Sequence, residues 1–527
     1  MRIEQLSRQK SKQWKQLLTD YLDANSSLDG LYGRAPRLEN FKAQFEEKAQ
    51  TYSHRQVLIE HLRSQYAGLE LSSAPDALID KLDSDNSFTV TTGHQLCLFG
   101  GPAYFIYKIA GTISLAQKLK AAYPDKNFIS VFWLASEDHD FEEIDHLRLF
   151  SKTIRWERES GGAVGRRGMK GIAAVGEELK EIFGQSNFAD ELNAIFERSY
   201  LNATNLAEAT IKLVHELFTD QVLCLDADSR STKALFKEIM KDELLNESAA
   251  SVTTSSNRIL EESGNDLQIH IRDINLFYLA ENSRERIVRE NNNWKTNDGA
   301  QHWDETSLLK ELEEAPERFS PNVALRPLYQ EVILPNIAYV GGGGEMAYWL
   351  QLKPIFDHYN CPFPILMPRL SVTAVIPSVA KKLEKLNVSA DQCFQRSEDL
   401  IKRFLEAQVE IADFDDEREL IKKAAENTLS KMEDLDEGFR KSVSAEFRNM
   451  AKTLDKVYGK YRKQVKSREE ISLNQLKSVQ DSIFPNEKHQ ERVENFALWY
   501  LRTGKEAINR MIDEMDPFQF NMLLLYP

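Results

Sequence analysis

The chain has 527 residues, with 67 Lys and Arg against 82 Asp and Glu and a formal net charge of −15. That length exceeds a single hydrophobic core and, at roughly 100–200 residues per domain, predicts about three units. An apolar content of 42% excludes a wholly disordered chain, the acidic balance speaks against broad nucleic-acid binding, and no apolar run reaches the ~18 residues of a membrane span. Residues 1–20 carry no apolar leader core, so a cytoplasmic protein is expected. Cys97, Cys224, Cys361 and Cys393 are too scattered for a local thiolate zinc site, and buried reduced thiols are expected.

In chain order, residues 1–83 read as mostly helical and charged. Phe88–Thr92 reads as a β-branched strand, and a helix follows from Pro102 to about Ala122. Phe128–Ala135 is an apolar run without alternation, as a buried parallel strand requires. Strand, crossover helix and buried strand make a βαβ unit. Further strands are expected at Val222–Asp226, Ile337–Val340 and Pro364–Met367, with a helix over Glu345–His358. The stretches 147–175 and 267–290 read as β-rich or mixed insertions. All 16 prolines lie outside 378–484, which signals long helices there. Met432, Leu435, Phe439, Val443, Phe447, Met450, Leu454, Val457, Tyr461 and Val465 advance by three or four, one apolar stripe on a helix of roughly 35 residues. A coiled coil or dimer arm follows, partly covered by a return segment Val479–Leu501. An ordinary bundle helix is the alternative.

The expected fold class is α/β, a Rossmann-like doubly wound core with inserted connecting segments plus a long C-terminal α-helical coiled coil. The core would span 1–385 with insertions at about 147–215 and 255–320. The arm would span 386–484, and a return helix and tail, 485–527, would pack on the core.

Three constellations carry chemistry. The first is Thr92-Gly93-His94-Gln95, then Gly100, Gly101, Tyr104 and Lys108. In open α/β sheets ligands bind beyond the carboxyl ends of strands, where glycines let backbone N–H groups approach an anion. Neither a P-loop nor a dinucleotide fingerprint is present, and a buried turn is the alternative. The second runs from Trp133 into Glu137, Asp138, His139 and Asp140, with Glu142 and Glu143 beyond: five carboxylates and an imidazole within seven residues. Mutual repulsion would raise some carboxylate pKa values and suit a general base; a solvated helix start is the alternative. No metal is expected, because no zinc-like histidine spacing occurs. The third holds Asn322, Arg326, Tyr329 and Gln330, then Gly341, Gly342, Gly343, Gly344 and Glu345, with Arg369 and Ser371 past a later strand. The glycines would cradle an anion or flat ring at positive φ, and Arg326 and Tyr329 would contact it; a flexible linker is the alternative. Lys488, His489, Gln490 and Arg492 form a small basic patch that would hold a nucleotide phosphate; a solvated helix face is the alternative.

TGHQLCLFGGPAYFIYK, VFWLASEDHDFEEI, SPNVALRPLYQEVILPNIAYVGGGGEMAYWLQLK and PILMPRLS, together with Lys488–Arg492 and Glu494–Phe496, resemble the bacillithiol biosynthesis cysteine-adding (BshC) family over most of the chain. The resemblance implies a Rossmann-like core with connecting insertions, a coiled coil that supports homodimers, and addition of cysteine to glucosaminyl malate in the last step of bacillithiol synthesis. It departs at His94, where many members carry glutamine, so a polar contact is the expected role there. The core also looks like that of class I aminoacyl-tRNA synthetases, although their lysine-rich signature loop is missing. A carboxylate is a poor electrophile, so an acyl phosphate or adenylate is expected, with ATP or another nucleotide as its source. Asp138 or His139, with Glu137 and Asp140 alongside, would take the amine proton. The alternatives are a nucleotidyltransferase that stops at the adenylate, or a non-catalytic coiled-coil scaffold.

Overall fold

The computed structural model describes residues 1–71, 75–158, 161–408 and 413–527. The chain divides into two compact units, 1–374 with 490–527, and 375–489.

The first unit is built on five parallel strands: β1 (Ser87–His94), β2 (Asn127–Leu134), β3 (Leu223–Leu225), β4 (Asn336–Gly341) and β5 (Ile365–Pro368). Their spatial order is β3-β2-β1-β4-β5. This is the Rossmann order, and its topological switch lies between β1 and β4. Each expected core strand forms within two residues of its predicted limits. The threonines of β1 tolerate burial because each hydroxyl has an acceptor. Thr89 and Thr91 donate to Asn336 Oδ1 at 3.2 and 2.8 Å, and Thr92 donates to the Val340 carbonyl at 2.7 Å. Helix α1 (Tyr104–Ala122) crosses from β1 to β2 and is buried nearly all round, which its continuous apolar sequence demands.

The insertions are mixed, and the β-rich part of the second runs past residue 290 as far as Pro321. It forms a five-stranded antiparallel sheet ordered His302–Trp303, Asn293–Thr296, Arg284–Glu290, Leu276–Leu279 and Phe319–Pro321. One strand escapes the helical reading of the first 83 residues. Arg2–Leu6 pairs antiparallel with Met522–Tyr526, which also pairs in parallel with Ser371–Ala374. A five-residue strand whose partner lies at the far end of the chain leaves no local signal.

In the second unit the proline-free segment is helical, with α2 (Asp415–Ser430) and α3 (Glu437–Arg468) forming a hairpin. Arg418 bridges to Asp455 at 3.1 Å, and Phe414 packs on Tyr458 and Tyr461. Three expectations are corrected here. Met432 and Leu435 precede α3, in the turn between the helices, so the stripe is shorter than its periodicity suggests. The cover comes from the upstream helix α2, because Val479–Leu501 is no single helix: Pro485 ends Glu470–Ile483, and short turns lead to Ala497–Thr503. The boundary between units falls after Ala374, so the helix Pro377–Leu386 groups with the arm instead of the core.

Candidate functional site

A cavity of about 340 Å³ opens at the carboxyl ends of β1, β2 and β4, at the switch point. From β1 and the loop after it come Gly93, His94 and Gln95; from α1, Tyr104; from β2 and beyond, Trp133, Ala135 and Asp138. Val323 leads into helix α4 (Arg326–Ile333), which supplies Arg326, Pro327 and Gln330. Tyr339 comes from β4, and helix α5 (Gly343–His358) contributes Gly344, Glu345, Tyr348 and Trp349 after its cap residue Gly342. Arg369 and Arg492 close the wall.

Charge in the cavity is arranged in opposition. Burial alone would raise the pKa of Asp138. The contact with His139, the guanidinium charges of Arg326 and Arg284, and the His139 N–H at 2.8 Å outweigh it and hold the carboxyl well below the usual range. Gln95 Nε2 donates to Asp138 at 3.2 Å and to Glu143 at 2.6 Å, which aims the first of these carboxylates. Burial likewise opposes the charge on Glu345. Its oxygens nevertheless accept from Lys108 Nζ, from Gly342 N at 2.9 Å and from Tyr339 Oη at 2.7 Å, so its pKa is also depressed. His94 donates from Nδ1 to the Gln95 carbonyl at 2.8 Å and sits against Tyr104 and Phe105. Burial, then the Lys108 charge, lowers its pKa to about 4, so the imidazole is neutral at pH 7 with its Nε2 lone pair free of that bond.

Several expected contacts do not reach the cavity. Thr92 is spent on Val340. Gly100 and Gly101 form a buried turn at φ +73° and +50°, whose carbonyl at Gly101 accepts from Asn495 Nδ2 at 2.6 Å. Lys108 lies beneath the wall, bonded to the Gly93 carbonyl and Glu345. Asn322 caps the entry to α4 through the Ala324 N–H at 2.8 Å. Tyr329 donates to the Ala227 carbonyl at 2.7 Å, and Ser371 to Glu491 at 2.8 Å. Gly341 and Gly343 back the loop: a Cβ on either would press on Tyr339 or Leu18, at 3.0 and 3.1 Å. None of the four glycines 341–344 has positive φ, which corrects the expectation of a left-handed cradle. They leave space instead, and a Cβ at Gly344 would meet nothing within 4 Å.

The acidic run is likewise not one cluster. Glu137 is buried on Lys233, Asp138 faces the cavity, His139 turns toward Arg284, and Asp140 is exposed and accepts the Glu143 N–H at 3.3 Å. Separation along the turns that follow β2, with cations brought from elsewhere, removes the crowding the sequence suggests. The expected basic patch also divides. Gln490 and Arg492 belong to the first unit, where Gln490 is spent on both backbone groups of Ala374. Lys488 and His489 belong to the second, where His489 packs against Phe394 and Phe484.

The wall residues Tyr339, Tyr348 and Trp349 were not anticipated. Helical spacing from Gly344 puts Tyr348 one turn on and on the same face, a signal within the sequence. Lys233 and Arg284 had none. Among the described residues no group of three or more His, Cys, Asp or Glu is placed to hold a metal ion, and no helix is long and apolar enough to cross a membrane.

Comparison with known proteins bears on the whole length. Residues 1–370 match the N-terminal Rossmann-like domain of bacillithiol biosynthesis BshC, and residues 372–527 match its C-terminal coiled-coil domain. Relatives provisionally named cysteine ligase BshC include one from Flavobacterium psychrophilum, 40% identical over 517 residues and covering 97% of both chains. Another, from Flavobacterium johnsoniae, is 37% identical over 524 residues with 99% of each chain covered. A third, from Christiangramia forsetii, is 38% identical over 517 residues, 97% of this chain and 96% of its own. With both parts of the fold matched in order and relatives aligned end to end, the chain belongs to the BshC family of bacillithiol biosynthesis.

Proposed function

We propose that the chain is a carbon–nitrogen ligase that joins the carboxylate of L-cysteine to the amine of glucosaminyl malate, the last step of bacillithiol biosynthesis. The observation that carries this reading is the charge opposition in the cavity. Asp138 and Glu345, both held ionised, share the wall with the guanidinium groups of Arg326, Arg369 and Arg492. A zwitterionic amino acid needs such a lining, an anion for its ammonium and cations for its carboxylate. Arg369 is largely satisfied by Glu491 at 2.5 Å and the Leu370 carbonyl at 2.9 Å, so Arg326 and Arg492 are the groups that would meet incoming anions. The names of the relatives supply cysteine as the amino acid.

This reading gives the acidic run a different role from the one expected of its sequence. A carboxylate whose pKa is driven this low is a weak base, so Asp138 holds an ammonium group and does not take its proton. His94, neutral and with a free Nε2, is the cavity group able to accept a hydrogen bond from the attacking amine. Amide formation from a carboxylate needs an activated acyl group, and ATP or another nucleotide is the co-substrate this reading requires. The N–H groups of Gly343 and Gly344 have no acceptor within α5, and together with Arg326 and Arg492 they would face the carboxylate of the amino acid and, once it is activated, the phosphate joined to it.

Incubation of the protein with L-cysteine, glucosaminyl malate and ATP, followed by mass spectrometry, should reveal the cysteinyl amide. Nucleotide turnover that stops at an adenylate would favour the nucleotidyltransferase alternative; no conversion would remove the ligase reading. The reading also includes a cytoplasmic homodimer joined through the arm, because Phe439, Met450 and Val457 remain about half exposed along α3. Light scattering on Met450→Glu with Val457→Glu tests it: dissociation is expected, and an intact chain that is already monomeric would contradict it.

A further inference from the structure

Arg284 opens a strand of the inserted sheet, 145 residues from His139 in the chain, and is only 6% exposed. Its guanidinium is fixed from several sides. Nε donates to Ser320 Oγ at 3.2 Å and Nη2 to the Pro321 carbonyl at 3.2 Å, while the group lies over the Phe277 ring at 4.0 Å. What remains is Nη1, 3.2 Å from His139 Nδ1 and 4.0 Å from Asp138 Oδ1.

This geometry constrains the imidazole. A guanidinium has only donors, so His139 Nδ1 must present its lone pair, and the ring proton of the neutral imidazole sits on Nε2. Asp138 Oδ1 lies 3.6 Å from the same nitrogen and is the competing partner: a proton on Nδ1 would face that carboxylate, but the closer Arg284 donor at 3.2 Å opposes it. Phe277, also packed against the ring, carries no charge.

We propose that Arg284 is a positioning residue: the inserted sheet supplies a guanidinium that fixes His139 as the Nε2–H tautomer and braces the Asp138 carboxylate toward the cavity. Its consequence for turnover rests on the ligase reading above; the tautomer does not, being a property of the protein alone. The connecting segment thereby becomes part of the site's construction, although the cavity wall itself is made by the core.

Selective ¹⁵N-histidine labelling of the full chain tests this. The protein has ten histidines, and the spectrum of His139→Gln assigns the one in question. In the wild type at pH 8, His139 should show a protonated Nε2 and a bare Nδ1. Arg284→Met, which removes every donor, should give mixed tautomers and raise the KM for cysteine about tenfold, the order expected for one lost positioning contact. Arg284→Lys, which keeps one donor and the charge, should restore part of both. A merely structural role for Arg284 would not move the tautomer. A wild-type His139 with its proton on Nδ1 overturns the proposal by itself, even where Arg284→Met fails to fold. An Arg284→Met spectrum and KM equal to wild type would overturn it equally. Failure of ligation in the wild type would instead remove the functional reading and leave the tautomer result standing.

Discussion

Two glycine turns follow two neighbouring strands, β1 and β4, and they use glycine for opposite reasons. After β1, Gly100 and Gly101 adopt positive φ, and a Cβ on Gly101 would lie 2.5 Å from Cys97 Cβ. That turn is buried and makes no cavity wall. After β4, Gly341–Gly344 have ordinary φ, and the last of them borders open space. Glycine in the first place is demanded by backbone and packing; in the second it keeps volume free for a ligand. A glycine-rich loop is therefore no evidence of an anion cradle until its φ angles and neighbours are known.

The contrast breaks most readily at Gly101. Gly101→Ala should cost about 3 kcal/mol or more in denaturant unfolding, through left-handed strain and overpacking together. A loss within about 0.5 kcal/mol, the range of an innocuous surface change, would mean the turn is not constrained as described.

On the cavity side, Asp138→Asn should lower turnover about 10²-fold, a change of about 2.7 kcal/mol, as expected when one charge-assisted contact to an ammonium is lost. Circular dichroism should show the fold retained. Because the Asp138 carboxyl is held below its ordinary range of about 4, the wild-type rate profile should contain no carboxylate limb above that pH that disappears in Asp138→Asn. Appearance of such a limb would restore Asp138 as a proton acceptor.

A smaller effect sharpens the role of His94, at the end of β1 and between the two turns. Its pKa is about 4 in the fold and 6.5 ordinarily, so the unfolded chain binds more protons between those values. The stability this contributes is fully present above pH ~6.5 and is lost as pH falls through 4. His94→Gln should reduce the slope of stability against pH in that window by at most about 1.4 kcal/mol per pH unit. His215, also lowered to about 4 by burial, leaves a residual slope of the same sign. An unchanged slope in the variant would mean that His94 titrates normally.

Much of the core was legible because buried parallel strands are written as β-branched or apolar runs, and Phe88–Thr92 and Phe128–Ala135 are such runs. Residues at the ends of those strands were legible too, since the carboxyl ends of an α/β sheet are where ligands bind. Thus His94, Gln95, Asp138, Arg326 and Glu345 do meet in one cavity. What the sequence hides is pairing across distance. The five carboxylates from Glu137 to Glu143 read as mutual repulsion, but Lys233 and Arg284 arrive from β3's following helix and from the inserted sheet to meet Glu137, Asp138 and His139. Similarly Asn322, Tyr329 and Ser371 carry the polar groups expected of a binding site, yet buried backbone and side-chain partners consume them. The arm shows the reverse error: periodicity alone runs the stripe through the turn at Met432–Leu435, which shortens it to α3 and sends α2 back along it as the cover.

Calorimetric titration of L-cysteine into the wild type and into Gly344→Val tests the central claim, that the space beside the β4 glycines is where the amino acid sits. Gly344 has ordinary φ and an empty neighbourhood, so valine should leave thermal stability close to wild type while filling that space. The account predicts saturable cysteine binding to the wild type and affinity at least about tenfold weaker in the variant, a change of roughly 1.4 kcal/mol. Equal affinity in the two proteins would contradict it.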